Sequence, residues 1–183
     1  FDGQDAAAPG HDLAALILDL TASRRKVWEL QGVMAAAALP EVTGIGPVEV
    51  DLVVRYQEGR YLVRGQLSGA IQMTCSRCLE EFSWPLRVTV ERSYKSGPDP
   101  NRSSGELHIS DDTVYLEDGR LSVRRLVSED VVLNLPIMAL CDPGCAGLCQ
   151  QCGANRNLEG CDCASQSANE GSFAALGKLV HKT

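Results

Sequence analysis

Histidine is almost missing from this 183-residue chain: only His11, His108 and His181 occur. That scarcity leaves little room for histidine-based acid–base chemistry. No Gly-rich phosphate loop, serine nucleophile elbow or His-Glu zinc-protease motif compensates for it. The reading is therefore of a protein that is not an enzyme. Positive charge is also short. Seventeen Lys and Arg stand against 24 Asp and Glu, a formal charge of −7, which excludes a basic nucleic-acid protein on bulk charge. Phosphate contact would have to come from local patches.

Long apolar runs are lacking too. Leu13–Leu20 and Val33–Leu39 fall well short of the ~18 residues that a membrane-crossing helix needs. No basic region precedes the first, so it does not read as a signal peptide. The chain opens on Phe1 rather than Met, and the expectation drawn from this is a processed or trimmed form whose targeting peptide has gone.

What is present in excess is cysteine. Eight are clustered: Cys75 and Cys78, then Cys141, Cys145, Cys149, Cys152, Cys161 and Cys163. A secreted disulfide framework would spread them along a small chain. Cys75-Ser-Arg-Cys78 instead forms a knuckle, the commonest way to offer half of a tetrahedral zinc site. Cys149-Gln-Gln-Cys152-Gly153 is a second knuckle, with glycine where the turn needs a positive φ. Cys161 and Cys163 lie a short loop away and complete a local four-thiolate set. Cys141 and Cys145 remain to join Cys75 and Cys78, which would tie metal binding to the tertiary fold. The expectation is two structural Zn²⁺. One zinc with a free or redox pair, an iron–sulfur cluster, or disulfides are the alternatives. Two closed four-thiolate sites leave no open position for water, so no hydrolysis is expected.

Around the cysteines the pattern is mostly strand. Val50, Leu52, Val54 and Tyr56 alternate with polar residues, and Glu58-Gly59 is a turn. Tyr61, Val63, Leu67, Ile71 and Met73 continue the period, as do Phe82, Trp84, Leu86, Val88 and Val90 after the knuckle. These read as three half-buried antiparallel strands, with Pro85 marking an edge or bulge. A polar loop follows over 96–106, then a short strand at Thr113–Leu116. Leu121–Leu135 reads as a helix with Val123, Leu126, Val127 and Val131 on one face and Pro136 closing it. Residues 172–181 suggest a last amphipathic helix. Residues 12–30 fit either a helix or a short strand with a loop.

The expected fold is α+β: an antiparallel sheet or partial barrel with a few short helices, stapled by two cysteine zinc sites. Three segments are expected: a partly disordered 1–45, a β core with the first knuckle over 46–140, and a cysteine-rich 141–183 that folds with it.

The cysteines and their neighbours also resemble a known family. Thr74-Cys75-Ser-Arg-Cys78-Leu-Glu-Glu-Phe82, Glu129-Asp-Val-Val-Leu-Asn-Leu-Pro136, Cys141 through Gly-Leu-Cys149-Gln-Gln-Cys152-Gly-Ala-Asn155-Arg-Asn157, Cys161-Asp-Cys163 and Phe173-Ala-Ala-Leu176 follow in the order seen in the YceD family of bacteria and plastids. Gln150 and Arg156 depart from its usual pattern without removing a cysteine. The resemblance implies a non-enzymatic role in accumulation and processing of large-subunit ribosomal RNA. Its partner would be that RNA, a large-subunit ribosomal protein or an assembly factor, with no membrane and no small-molecule substrate. Candidate contacts are Arg77, Arg87, Arg124, Arg125 and Arg156, though each reads first as a solvated surface charge. The resemblance and the clustered thiols suit a plastid stroma, or a bacterial cytoplasm. Two other functions stay open: a CxxC thiol redox protein, and a zinc-stapled protein-interaction module without an RNA role.

Overall fold

In the computed structural model the described residues are 12–21, 27–99, 113–161 and 163. The expected helix at 172–181 lies outside them. Seven strands and one α-helix occur among the described residues: β1 (Ile17–Asp19), β2 (Val27–Met34), β3 (Val48–Gln57), β4 (Arg60–Thr74), β5 (Glu81–Ser96), β6 (Thr113–Leu116), β7 (Arg120–Ser122) and α1 (Val123–Leu133). A 3₁₀ turn covers Ala36–Ala38.

Alternation builds the main sheet, whose order is β2-β3-β4-β5-β6. Val48, Val50, Leu52 and Val54 of β3 are buried, as are Tyr61, Val63, Leu67 and Ile71 of β4 and Leu86, Val88 and Val90 of β5. Their polar neighbours face the other way, as a half-buried sheet requires. The sheet curls as a half-barrel. β3 and β4 meet at a two-residue hairpin. Gln57 pairs with Arg60, and both loop residues have positive φ, 52° at Glu58 and 80° at Gly59. That backbone twist matches the twist of the flanking strands.

Three features differ from the sequence reading. β2 is a full member of the sheet, with Trp28 opposite Val54 and Leu30 opposite Leu52. Its period is interrupted by Gly32 and by the exposed Val33, which hid it. β6 pairs parallel to β5, Tyr94 opposite Val114, rather than antiparallel. The long stretch 97–112 between them allows the return that a parallel pair needs and a tight turn forbids. The helix begins at Val123, not Leu121, because Leu121 pairs with Leu18 in the two-stranded β1–β7 sheet. Ser122 caps it, accepting from the Arg125 N–H. Pro85 sits where β6 does not reach, since β6 pairs only with Ser93–Ser96.

Val123, Leu126, Val127 and Val131 of α1 join the core. Arg92 of β5 fixes the helix further, with Nη2 and Nε donating to Asp130 Oδ1 at 2.8 and 3.1 Å. Asp130 is 6% exposed, so this carboxylate is held by its partner rather than by water. Tyr61 adds a buried hydroxyl bond to the Leu20 carbonyl at 2.6 Å.

By contacts the chain forms two compact units. One is Phe1–Met73 with Ser83–Ile137; the other is Thr74–Phe82 with Met138–Thr183. The Cys75–Cys78 knuckle therefore groups with the cysteine-rich segment and not with the sheet that flanks it in sequence. No helix among the described residues is long and apolar enough to cross a membrane.

Candidate metal centres

The first centre starts from the knuckle that links β4 to β5. The Cys75 N–H donates to the Glu80 carbonyl at 2.8 Å, and the Leu79 N–H donates back to the Cys75 carbonyl at 3.0 Å. This closes a tight loop that turns both sulfurs to one side. It forces φ of +61° on Leu79, a conformation that disfavours side chains. The second half comes from Cys141-Asp-Pro-Gly-Cys145. Asp142 accepts from the Gly144 N–H through its side chain and from the Cys145 N–H through its carbonyl, at 2.6 and 3.0 Å. That turn brings Cys141 and Cys145 round together.

Sulfur-to-sulfur distances are 3.8 Å for Cys75–Cys145 and 3.6 Å for Cys78–Cys141. Those spans are far beyond the ~2.05 Å of a disulfide. They match the edge of about 3.8 Å that a tetrahedron with ~2.3 Å zinc–sulfur bonds would have. All eight cysteines are unbridged.

The second centre repeats the ladder. The Cys149 N–H donates to the Ala154 carbonyl at 2.8 Å, and the Gly153 N–H to the Cys149 carbonyl at 2.9 Å. Here the residue with positive φ, +75°, is a glycine, as the sequence reading expects. Cys149, Cys152, Cys161 and Cys163 converge as Cys75, Cys78, Cys141 and Cys145 do, the ligand atoms of each set lying within 4.8 Å of one another. These two groups of four could each hold a metal ion. Soft thiolate donors in fours suit zinc, and iron–sulfur chemistry shares the donor type.

The electrostatics favour a cation. Main-chain N–H groups of Cys141 and then Cys78 pull the Cys75 thiol down to about 6. Cys149 is pulled down to about 6 by the N–H groups of Cys152 and Gln151. Cys78 and Cys141 in the first set, and Cys161 and Cys163 in the second, resist ionising beside these. Desolvation and its three sulfur neighbours push Cys141 up to about 12, and the Cys152 sulfur, with desolvation, pushes Cys163 up to about 11. Crowded thiols cannot all lose protons without a compensating positive charge. A divalent ion would supply that charge and displace the protons.

The two centres differ in burial. Cys75, Cys78 and Cys145 are buried and pack with Phe82 and Leu140. Cys149, Cys161 and Cys163 are only partly buried and Cys152 is exposed.

The candidate arginines fall into distinct situations. Arg77 Nη1 donates to the Cys145 and Pro143 carbonyls at 3.0 and 3.3 Å, bracing the first centre from within. Arg124 pairs with Glu41 at 2.9 Å and Arg125 with Glu129 at 2.7 Å. Arg87 and Arg156 are exposed and have no ion pair among the described residues. Two functional positions escaped the sequence reading. Leu79 could have been found by setting the two knuckles side by side, since it occupies the place of Gly153. Asn157 Nδ2 lies 3.3 Å from Cys145 Sγ. It stands in the run of residues that carries the family resemblance, which marked the position without giving it a role.

The family model described as large ribosomal RNA subunit accumulation protein YceD matches residues 63–180. The chain is 25% identical over 190 aligned positions to the large ribosomal RNA subunit accumulation protein YCED homolog 1, chloroplastic, of Arabidopsis thaliana, covering 91% of this chain and 58% of that protein. An uncharacterized protein of Mycobacterium leprae is 22% identical over 160 positions, 81% of this chain and 71% of its own length. One of Mycobacterium bovis is 26% identical over 106 positions, 58% of this chain and 50% of its own length. The chain thus spans little more than half of the Arabidopsis protein. No solved structure matches.

Proposed function

The chain belongs to the YceD family, and on that premise we propose that it is a non-enzymatic ribosome-biogenesis factor, stapled by two structural Zn²⁺, that supports accumulation and processing of large-subunit ribosomal RNA. The family's name carries the link to that RNA. The observation that carries the scaffold role is the pair of four-thiolate sets. When bound, zinc would supply fixed cross-links and no reactive water, because four sulfurs fill its tetrahedron. Cys75, Cys78, Cys141 and Cys145 would hold one ion, and Cys149, Cys152, Cys161 and Cys163 the other. Arg77 would then hold the Cys141–Cys145 turn in place through its carbonyls.

The acidity of the chain and the engagement of Arg77, Arg124 and Arg125 favour a protein partner in the large-subunit precursor, with Arg87 and Arg156 as contact cations. Eight thiolates outweigh two divalent ions, so the loaded protein is more acidic still. The chloroplastic relative supports a plastid stroma, and the mycobacterial relatives support the alternative, a bacterial cytoplasm. Either keeps thiolates reduced.

The test is affinity capture of the full chain from a ribosome-active extract, scored for large-subunit precursors. Enrichment of precursor RNA together with assembly proteins is expected; an absence of both would overturn the reading. A salt titration of RNA binding separates the modes, since direct phosphate contact gives a steep slope and a protein-mediated link does not. The lowered Cys75 thiol favours one rival, a thiol redox protein. Native mass spectrometry decides between them: two ions and no labelled thiols exclude redox work.

A further inference from the structure

The loop between Cys152 and Cys161 belongs to the second centre by chain connection, yet it reaches a ligand of the first. Asn157 makes the crossing. Its Oδ1 accepts from the Ala146 N–H at 2.7 Å, and its Nδ2 donates to Cys145 Sγ at 3.3 Å. The orientation of the amide is fixed by the Ala146 N–H, which can only donate. Asn155 holds Asn157 in turn: its Oδ1 accepts from the Asn157 N–H at 3.0 Å and from Nδ2 at 2.8 Å. The same loop is sewn to the segment after Cys145. The Arg156 N–H donates to the Gly147 carbonyl at 2.9 Å, and Asn155 bridges Leu148. Leu148 donates its own N–H to the Arg77 carbonyl inside the first knuckle at 3.0 Å. Gly147, with φ of +69°, has to lack a side chain there, because a Cβ would stand 3.0 Å from that carbonyl.

We propose that Asn157, oriented by Asn155, is a positioning residue that couples the two metal centres, so that an ion held by Cys149, Cys152, Cys161 and Cys163 strengthens metal binding at Cys75, Cys78, Cys141 and Cys145. The inference rests on the reading that both cysteine sets hold metal. A thiolate carries its charge more easily when an amide N–H points at it, and its position is fixed by the same bond. The residue must also accept from Ala146. A primary amide does both; a carboxylate would set a second negative charge against the sulfur. Ordering of the loop at one centre therefore delivers a hydrogen bond to the other. Coupling of this kind is reciprocal, so filling the first centre favours the second by the same factor.

The test uses the full chain loaded with cadmium, whose NMR spectrum gives one resonance per centre, together with chelator competition against Zn²⁺. Asn157→Asp preserves the shape and the acceptor, removes the donor and sets a negative charge against the Cys145 sulfur. It is expected to keep two ions, to move the first-centre resonance, and to lower first-centre affinity about 10- to 100-fold. Cys161→Ser is expected to hold one ion, weakened by a similar factor. Adding Asn157→Asp to Cys161→Ser should then weaken the first centre little further, since both act through one bond. An unmoved first-centre resonance in Asn157→Asp with wild-type release would overturn the coupling, and so would wild-type first-centre affinity in Cys161→Ser. If Cys161→Ser fails to fold, Asn157→Asp decides alone. A wild-type chain that binds no metal sinks the metal reading itself, a result distinct from two ions bound independently.

Discussion

The two knuckles are nearly the same object locally. Each closes with a ligand N–H to the carbonyl five residues on and a return bond four residues back, at distances that agree within 0.1 Å. They nevertheless stand in different surroundings. Three sulfurs of the first set are buried with Phe82 and Leu140, whereas no cysteine of the second is more than partly buried. A short-range turn can present thiolates equally well in either place. How much metal binding contributes to the fold depends on what else the bound segments bury.

The largest effect expected is at the first centre. Cys75→Ser should lose one ion and the order of the segment around it. Metal held at a thousandfold above its dissociation constant stabilises by about 4 kcal/mol, and thermal unfolding should register a loss of that size. Cys161→Ser should lose one ion with a smaller fall in melting temperature. Equal falls would break the distinction between the centres.

Phe82→Ala should cost about 2 kcal/mol by chemical denaturation, less than a fully buried phenylalanine, because the ring is only half-buried. The second centre has no counterpart, and a negligible cost would mean that packing does not separate the two.

Smaller and opposite effects are expected at the matched turn positions. Gly153→Ala should cost about 1 kcal/mol, because it puts a side chain at positive φ. Leu79→Gly should stabilise by about 0.5 kcal/mol: strain relief exceeds the added chain entropy, and a side chain 63% exposed loses little burial. Denaturant midpoints measure both. A cost at Leu79→Gly would show that this leucine packs in a way its exposure conceals.

The smallest stability effects belong to Arg87→Ala and Arg156→Ala, within about 0.5 kcal/mol. If RNA is touched directly, each should reduce the salt slope of binding by about one. If a protein is the partner, the slope stays flat and only capture weakens.

Much of this is legible in the sequence. Period two marks β3, β4 and β5 because each has one wet face, and Glu58-Gly59 marks the hairpin between the first two. The grouping of eight cysteines into two fours follows from CxxC spacing, since a knuckle needs only its own few residues. The hidden parts share a cause. β2 is recognisable only by its pairing with β3, and β6 by its parallel pairing with β5 from far along the chain. Asp130 reads as a surface charge on a helix until Arg92 is brought beside it. Asn157 is an ordinary loop residue until Cys145 arrives from another segment.

Residue order alone was enough to place the thiols: eight cysteines in two groups of four, on knuckle turns, in an acidic chain. It could not say which four would be buried, nor that one centre's loop would donate to the other's ligand. Donor type and turn geometry are settled over five or six neighbouring residues. Burial and cross-loop hydrogen bonds exist only once distant segments have returned to one another, and no local pattern records that return.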